Sequence, residues 1–224
     1  MKNKIILFMC VFLLLNSCNS DHDAEAVFKK HGDKIKTEYI NEIKNLIATT
    51  KESIDKDELP LTNRANQKLV NSKNEEKAFE IDSRAFGFIN SFLTDNEFNE
   101  FAKIFHKPQL QSPNKVLNSI AILELNIEQT INRLDSKKYT LDRTSTSDLE
   151  KIKNSLKQLF SIRKFFSKSI KQILLDYQKN INSIKTEDSK LEEYLGTKLN
   201  RFNEKKKEAG NLKNTILSIN ISEL

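Results

Sequence analysis

The sequence predicts an all-α protein, an elongated bundle of about six or seven amphipathic helices with one long central helix. Three observations lead there. Only 4 Gly and 3 Pro occur in 224 residues, which leaves few places for the chain to turn sharply. Apolar residues recur at spacings of three and four, the period of one helix face, rather than alternating as a strand would. The longest such stripe continues for about 37 residues at 148–184, a helix of roughly 55 Å at 1.5 Å per residue.

Residues 1–17 form a leader. Lys2 and Lys4 precede an apolar run from Ile5 to Leu15, which then meets Leu15-Asn16-Ser17-Cys18. A run of about 11 residues is too short for a bilayer, which needs roughly 20. A short apolar run ending in a small residue before cysteine is the layout of a bacterial lipoprotein signal. Cleavage is expected between Ser17 and Cys18, with diacylglycerol on the Cys18 thiol. The alternative is an ordinary secretory signal with an incidental Cys18. Residues 18–26 are short and polar and read as a flexible tether to one domain at 27–224.

The first helix is predicted over 27–56, on the stripe Ile35, Tyr39, Ile43, Leu46, Ile47 and Ile54. Pro60 interrupts it, and 57–74 reads as a loop holding at most a short helix. Residues 75–93 carry Phe79, Phe86, Ile89, Phe92 and Leu93. Thr94-Asp95-Asn96-Glu97 is a capping box opening the next helix, 95–106, with Phe98, Phe101, Ala102 and Phe105 inward. Pro108 ends it. Ser112 as N-cap and Pro113 at the first helical position start another, with Val116, Leu117, Ile120, Leu123, Ile127, Ile131 and Leu134 inward.

A Ser/Thr-rich loop at 135–147 leads to a second capping box, Ser147-Asp148-Leu149-Glu150. It opens the long stripe Leu149, Ile152, Leu156, Leu159, Ile162, Phe166, Ile170, Ile173, Tyr177, Ile181 and Ile184. A last helix is expected from Thr186 to about Lys207, with Leu191, Leu195, Leu199 and Phe202 inward and Gly210 as its stop. The tail, 215–224, fits a short strand, a packed extended segment or one more helical turn.

Several function classes fall away. The net charge of +6 drops by two when Lys2 and Lys4 leave with the leader, and the remaining charges of both signs are interspersed. A nucleic-acid binder concentrates its basic charge, so no nucleic-acid partner is expected. The two cysteines are Cys10, lost with the leader, and Cys18, consumed by lipid, so the mature chain is expected to have neither disulfide nor thiolate. His22, His31 and His106 form no HExxH pair, and no metal or other cofactor is expected. His22 and His31 read as solvated and His106 as a helix C-terminal residue. No GxSxG or P-loop occurs, and pairs such as Glu187-Asp188 and Glu192-Glu193 fall on polar helix faces. The chain is not expected to be an enzyme.

Candidate partner contacts remain. Phe88 sits off the Phe79–Phe86–Ile89 stripe, so it reads either as an exposed anchor or as further core. Phe160 and Phe165 lie beside the long stripe and either widen the core face or border a partner groove. Arg163, Lys164 and Lys168 on the long helix suit a partner with anionic patches, and serve equally as solubility charge.

Three stretches add a resemblance. They are Leu123-Glu124-Leu125-Asn126-Ile127-Glu128-Gln129; Ile152-Lys153-Asn154-Ser155-Leu156 with Asp176-Tyr177-Gln178-Lys179-Asn180; and Leu191-Glu192-Glu193-Tyr194 with Leu199-Asn200-Arg201-Phe202. In that order, behind the leader, they resemble the Borrelia outer-surface lipoprotein paralogous family that includes the complement regulator-acquiring surface protein. The resemblance implies an elongated helical bundle on the outer membrane surface. It further implies a non-catalytic protein that binds host proteins, complement regulators such as factor H leading. The alternative is a vector-phase or structural lipoprotein that binds a tick component or nothing specific. The factor H binder of the family dimerises through its C-terminal helix. Asn211 to Leu224 departs from that ending, so monomer and homodimer both stay open.

Overall fold

The structure is a computed structural model that describes residues 21–58, 76–105, 107 and 109–221. Six α-helices account for most of them, and the described residues contain no strand. They are α1 (Asp21–Glu58), α2 (Glu76–Asn90), α3 (Asp95–Phe105), α4 (Ser112–Ser136), α5 (Thr146–Gln178) and α6 (Asp188–Ser218). Single 3-10 turns at Leu141–Arg143 and Ile181–Ser183 lie in the last two connections. Cys18, the Ser17–Cys18 cleavage, most of the 57–74 loop and His106 lie outside the described residues.

α4 packs against each of the other five helices. All seven positions of its predicted stripe are buried, from Val116 to Leu134. The long helix α5 runs beside α1 and α6, and its stripe is buried from Leu149 to Ile173. α6 adds Leu191, Leu195 and Phe202. Burial of apolar surface at about 25 cal/mol per Å² holds these faces together.

The capping box before α3 forms as the sequence predicts. The Thr94 amide donates to Glu97 at 2.8 Å, and the Glu97 amide points back to the Thr94 hydroxyl at 3.4 Å. Other boundaries differ. The cap of α5 is Ser145 rather than Ser147: its hydroxyl accepts from the Asp148 amide at 3.1 Å. The earlier serine wins because the helix then closes the bond from the Leu149 amide to the Ser145 carbonyl. Ser112 does not cap α4 with its side chain. Its amide and hydroxyl instead donate to Glu192 of α6, at 3.1 and 2.8 Å. A carboxylate at a helix N-terminus is favoured by the macrodipole and accepts more strongly than a hydroxyl. α1 begins at Asp21, where polar composition predicts a tether, in a stretch whose alanines favour helix.

The 148–184 stripe is cut at Gln178. Asn180, Asn182 and Ser183 have φ of 51°, 50° and 63°, left-handed values that asparagine tolerates better than most residues. The Asn180 side chain accepts from the Lys185 amide at 2.8 Å and holds the reversal. Ile181 is therefore exposed although it matches the spacing, while Ile184 is buried. Gly210 does not stop α6, which continues to Ser218. Buried Ala209 and Ile216 outweigh the roughly 1 kcal/mol that glycine costs inside a helix. Of the tail, Thr215–Ser218 is helical, and Ile219 and Ile221 pack in a non-helical segment.

Candidate functional site

A groove opens on the surface where α1, α2 and α5 meet. It is built from residues far apart in the chain. α1 supplies Thr49, Thr50 and Ser53; α2 and the turn after it supply Phe88, Ser91 and Phe92; α5 supplies Phe160, Arg163, Lys164 and Ser167. Three of the four partner residues proposed from sequence, Phe88, Arg163 and Lys164, thus lie around one groove, with Phe88 and most of Arg163 beneath its surface. Lys168 is exposed one turn further along α5.

Arg163 is the centre of the groove's support. Its Nε–H is shared between the two carboxylate oxygens of Glu124 on α4, at 3.0 and 3.1 Å. Its Nη1 donates to the Ser53 hydroxyl at 3.0 Å. The guanidinium lies over the Phe88 ring, 4.8 Å from its centroid. Glu124 is 8% exposed and Arg163 16%, so the pair is a largely buried link among four helices. Arg163 therefore meets its partners inside the bundle instead of standing on a solvated face. The register contained a signal for this. Glu124 falls four residues after Ile120 and three before Ile127; Arg163 falls four after Leu159 and three before Phe166. Each charge occupies a core position of its own stripe.

Phe88 is a correction. It is 3% exposed and stands edge-on to Phe92 at 5.0 Å, so it is no exposed anchor. The reason is geometric: α2 packs on α1 as well as on α4, and every residue from Ala85 to Ile89 is buried. One apolar stripe does not describe a helix covered on two sides. Phe92 and Phe160 are instead the half-exposed aromatics of the groove. Phe165 widens the core, edge-on to Phe166 and Phe202.

Most of the groove's hydroxyl protons are already committed. Thr49 donates to the Asn45 carbonyl at 2.9 Å and Thr50 to that of Leu46 at 2.7 Å. Ser91 donates to the Phe88 carbonyl at 2.6 Å and Ser167 to that of Lys164 at 3.0 Å. A hydroxyl that has given its proton away keeps lone pairs that can accept. The charged residues lining it, Arg163 and Lys164, are both cationic. Lys171 stands at the end, 5.9 Å from the Phe92 ring centroid, and Glu97 lies within electrostatic reach of it.

Elsewhere the titratable groups serve packing. The Tyr194 phenol donates to Asp176 at 2.6 Å and ties α6 to α5; burial, then that bond, push its ionisation well above the ordinary range. Four carboxyls are held below their ordinary values of 3.8 and 4.5: Asp135 by Lys138 and then Lys51, Asp148 by Lys151 and Ser145, Asp188 by Lys107 and Gln109, and Glu97 by the Thr94 amide. Carboxyls lowered on folding add stability above their unfolded pKa and lose it as pH falls through the folded one. The urea midpoint is accordingly expected to stay level down to about pH 4.5 and to fall below it. A midpoint unchanged on acidification to about pH 3 would contradict those assignments. Among the described residues no group of His, Cys, Asp and Glu could hold a metal ion, and no helix is long and apolar enough to cross a membrane. His31 is exposed on α1.

Comparison with known proteins identifies relatives. The family model described as "Borrelia Bbcrasp-1 domain containing protein" matches residues 55–220. The crystal structure of BSE31, from the Lyme disease agent Borrelia (Borreliella) spielmanii, aligns with a TM-score of 0.70 at 29% identity. That alignment covers 83% of this chain and 100% of that one. A comparison with curated proteins gives no match. With the family match spanning well over half of its length, the chain belongs to the Borrelia Bbcrasp-1 domain family, a paralogous family of Borrelia surface lipoproteins.

Proposed function

We propose that this chain is an outer-surface lipoprotein that acts as a non-catalytic binding protein for host proteins, complement regulators such as factor H being the leading candidates. The observation that carries the reading is the family match over residues 55–220. The leader supports the address: Lys2 and Lys4, an apolar run and Ser17-Cys18 suit lipidation at Cys18, which would hold the mature chain at the cell outer membrane. A lipoprotein cysteine carrying more than one acyl chain anchors firmly, since each buried methylene contributes about 0.8 kcal/mol. The mechanism is concentration rather than chemistry. A helical surface docks a soluble partner and keeps it beside the membrane, where a complement regulator would protect the cell.

The test is retention from human serum by the detergent-solubilised full chain, read by mass spectrometry. A complement regulator is expected among the retained proteins, and serum killing is expected to rise in cells lacking the chain. Retention of no complement protein, with killing unchanged, removes the complement reading. Retention from tick-gut extract alone moves the chain to the vector-phase reading.

A further inference from the structure

We propose that the groove between α1, α2 and α5 docks an acidic segment of a partner protein, anchored in it by an aromatic or aliphatic side chain. The proposal rests on the reading of the chain as a binding protein and gives that reading a surface. Charge selects the partner. Lys164, Lys168 and Lys171 recur at intervals of four and three along the exposed side of α5, on one helical face beside the groove. Among the described residues no carboxylate lines the groove, and the Glu124 carboxylate beneath it is paired with Arg163. Glu97 offsets Lys171 in part, so Lys164 and Lys168 carry the excess.

The floor and walls then separate a protein segment from a sulfated or phosphorylated polymer. Phe92 and Phe160, packed on the core but still partly exposed, offer apolar area, which an aromatic or aliphatic side chain can cover and a sulfate cannot. The wall hydroxyls have given their protons to nearby backbone carbonyls, so what they keep is acceptor capacity. Acceptors suit the backbone N–H groups that repeat along a peptide, whereas sulfate and phosphate groups offer no such donors. Lysines supply the complementary contacts, long-range attraction for carboxylates and ammonium donors at the rim.

The probe is a short fluorescent peptide of aspartate and glutamate around one phenylalanine, titrated against the detergent-solubilised full chain. Its counterpart carries lysine in place of each acid. The acidic peptide is expected to bind, to weaken about tenfold with Lys164→Glu plus Lys168→Glu, and to weaken as salt rises. The basic peptide is expected to gain on the same variant, which shows at once that the altered groove is folded. Absence of acidic-peptide binding to the wild type, or equal binding to the variant, overturns the proposal. So does heparin binding that the two substitutions abolish while peptide binding persists. Serum retention that survives both substitutions removes the groove and leaves the proposed function standing. Peptide binding at the groove without any serum retention does the reverse.

Discussion

Replacing Glu124 with alanine is expected to destabilise the bundle by roughly 2–3 kcal/mol, measured as the loss of helical circular dichroism in urea. Desolvation sets the size of the effect. Arg163 is 16% exposed and gives its Nε–H to Glu124, so removal of the carboxylate leaves a cation in the interior, beside the Ser53 hydroxyl and the Phe88 face, without the anion that accepts its Nε–H. Attraction within the intact pair roughly offsets the cost of burying both charges, whereas removing one carboxylate leaves part of that cost uncompensated. The double substitution Glu124→Leu with Arg163→Met is therefore expected to end near the wild-type stability. A loss below about 1 kcal/mol for Glu124→Ala would mean that water reaches Arg163 and that the link is a surface pair.

Phe166→Ala is expected to cost about 3–5 kcal/mol, and Phe202→Ala a similar amount. Phe166 on α5 and Phe202 on α6 are 0% and 1% exposed, with ring centroids 4.6 Å apart. Each truncation loses the transfer energy of a phenyl group and opens a cavity that neighbouring helices cannot fill by collapse. The two rings share one site, so the double variant should lose clearly less than the sum of the singles. For a domain whose total stability is of order 5–15 kcal/mol, either change consumes a large fraction. Thermal and urea unfolding of the three variants check this, and full additivity would contradict the shared contact.

Periodicity speaks within an element, and there the sequence was readable. The stripe of α4 is buried at every assigned position, and that of α5 is buried through Ile173. Local chemistry was readable as well in the Thr94–Glu97 box. What failed depended on neighbours. Ser112 meets Glu192, eighty positions away, so no window along the chain reveals that the helix is capped from outside. Gly210 is a stop signal only where nothing packs beyond it, and Ile216 does. At Ile181 the spacing continued by coincidence through a left-handed turn that Asn180 and Asn182 announce more reliably.

The groove follows the same division. Lys164 and Lys168 lie on the solvent side of α5, as their off-stripe positions imply. Of the two readings of Phe88, the structure takes further core, because a second covering helix, α1, comes from more than thirty residues upstream and reveals nothing locally of where it will lie. Arg163 and Glu124 occupy core positions of their stripes, which marks a charge pair once both registers are compared. The hydroxyl walls carry no period at all. Thr49, Ser91 and Ser167 become neighbours only when three helices converge.

In the proposed function a lipid on Cys18 holds the helical bundle at the cell surface, and the bundle captures a serum protein there. Cells displaying the chain, and cells producing Cys18→Ala, should be incubated in human serum and washed, and the retained proteins identified by mass spectrometry. A serum protein is expected on the first cells and not on the second, whose chain would no longer be held by lipid. Equal retention by both, or retention by neither, would contradict it.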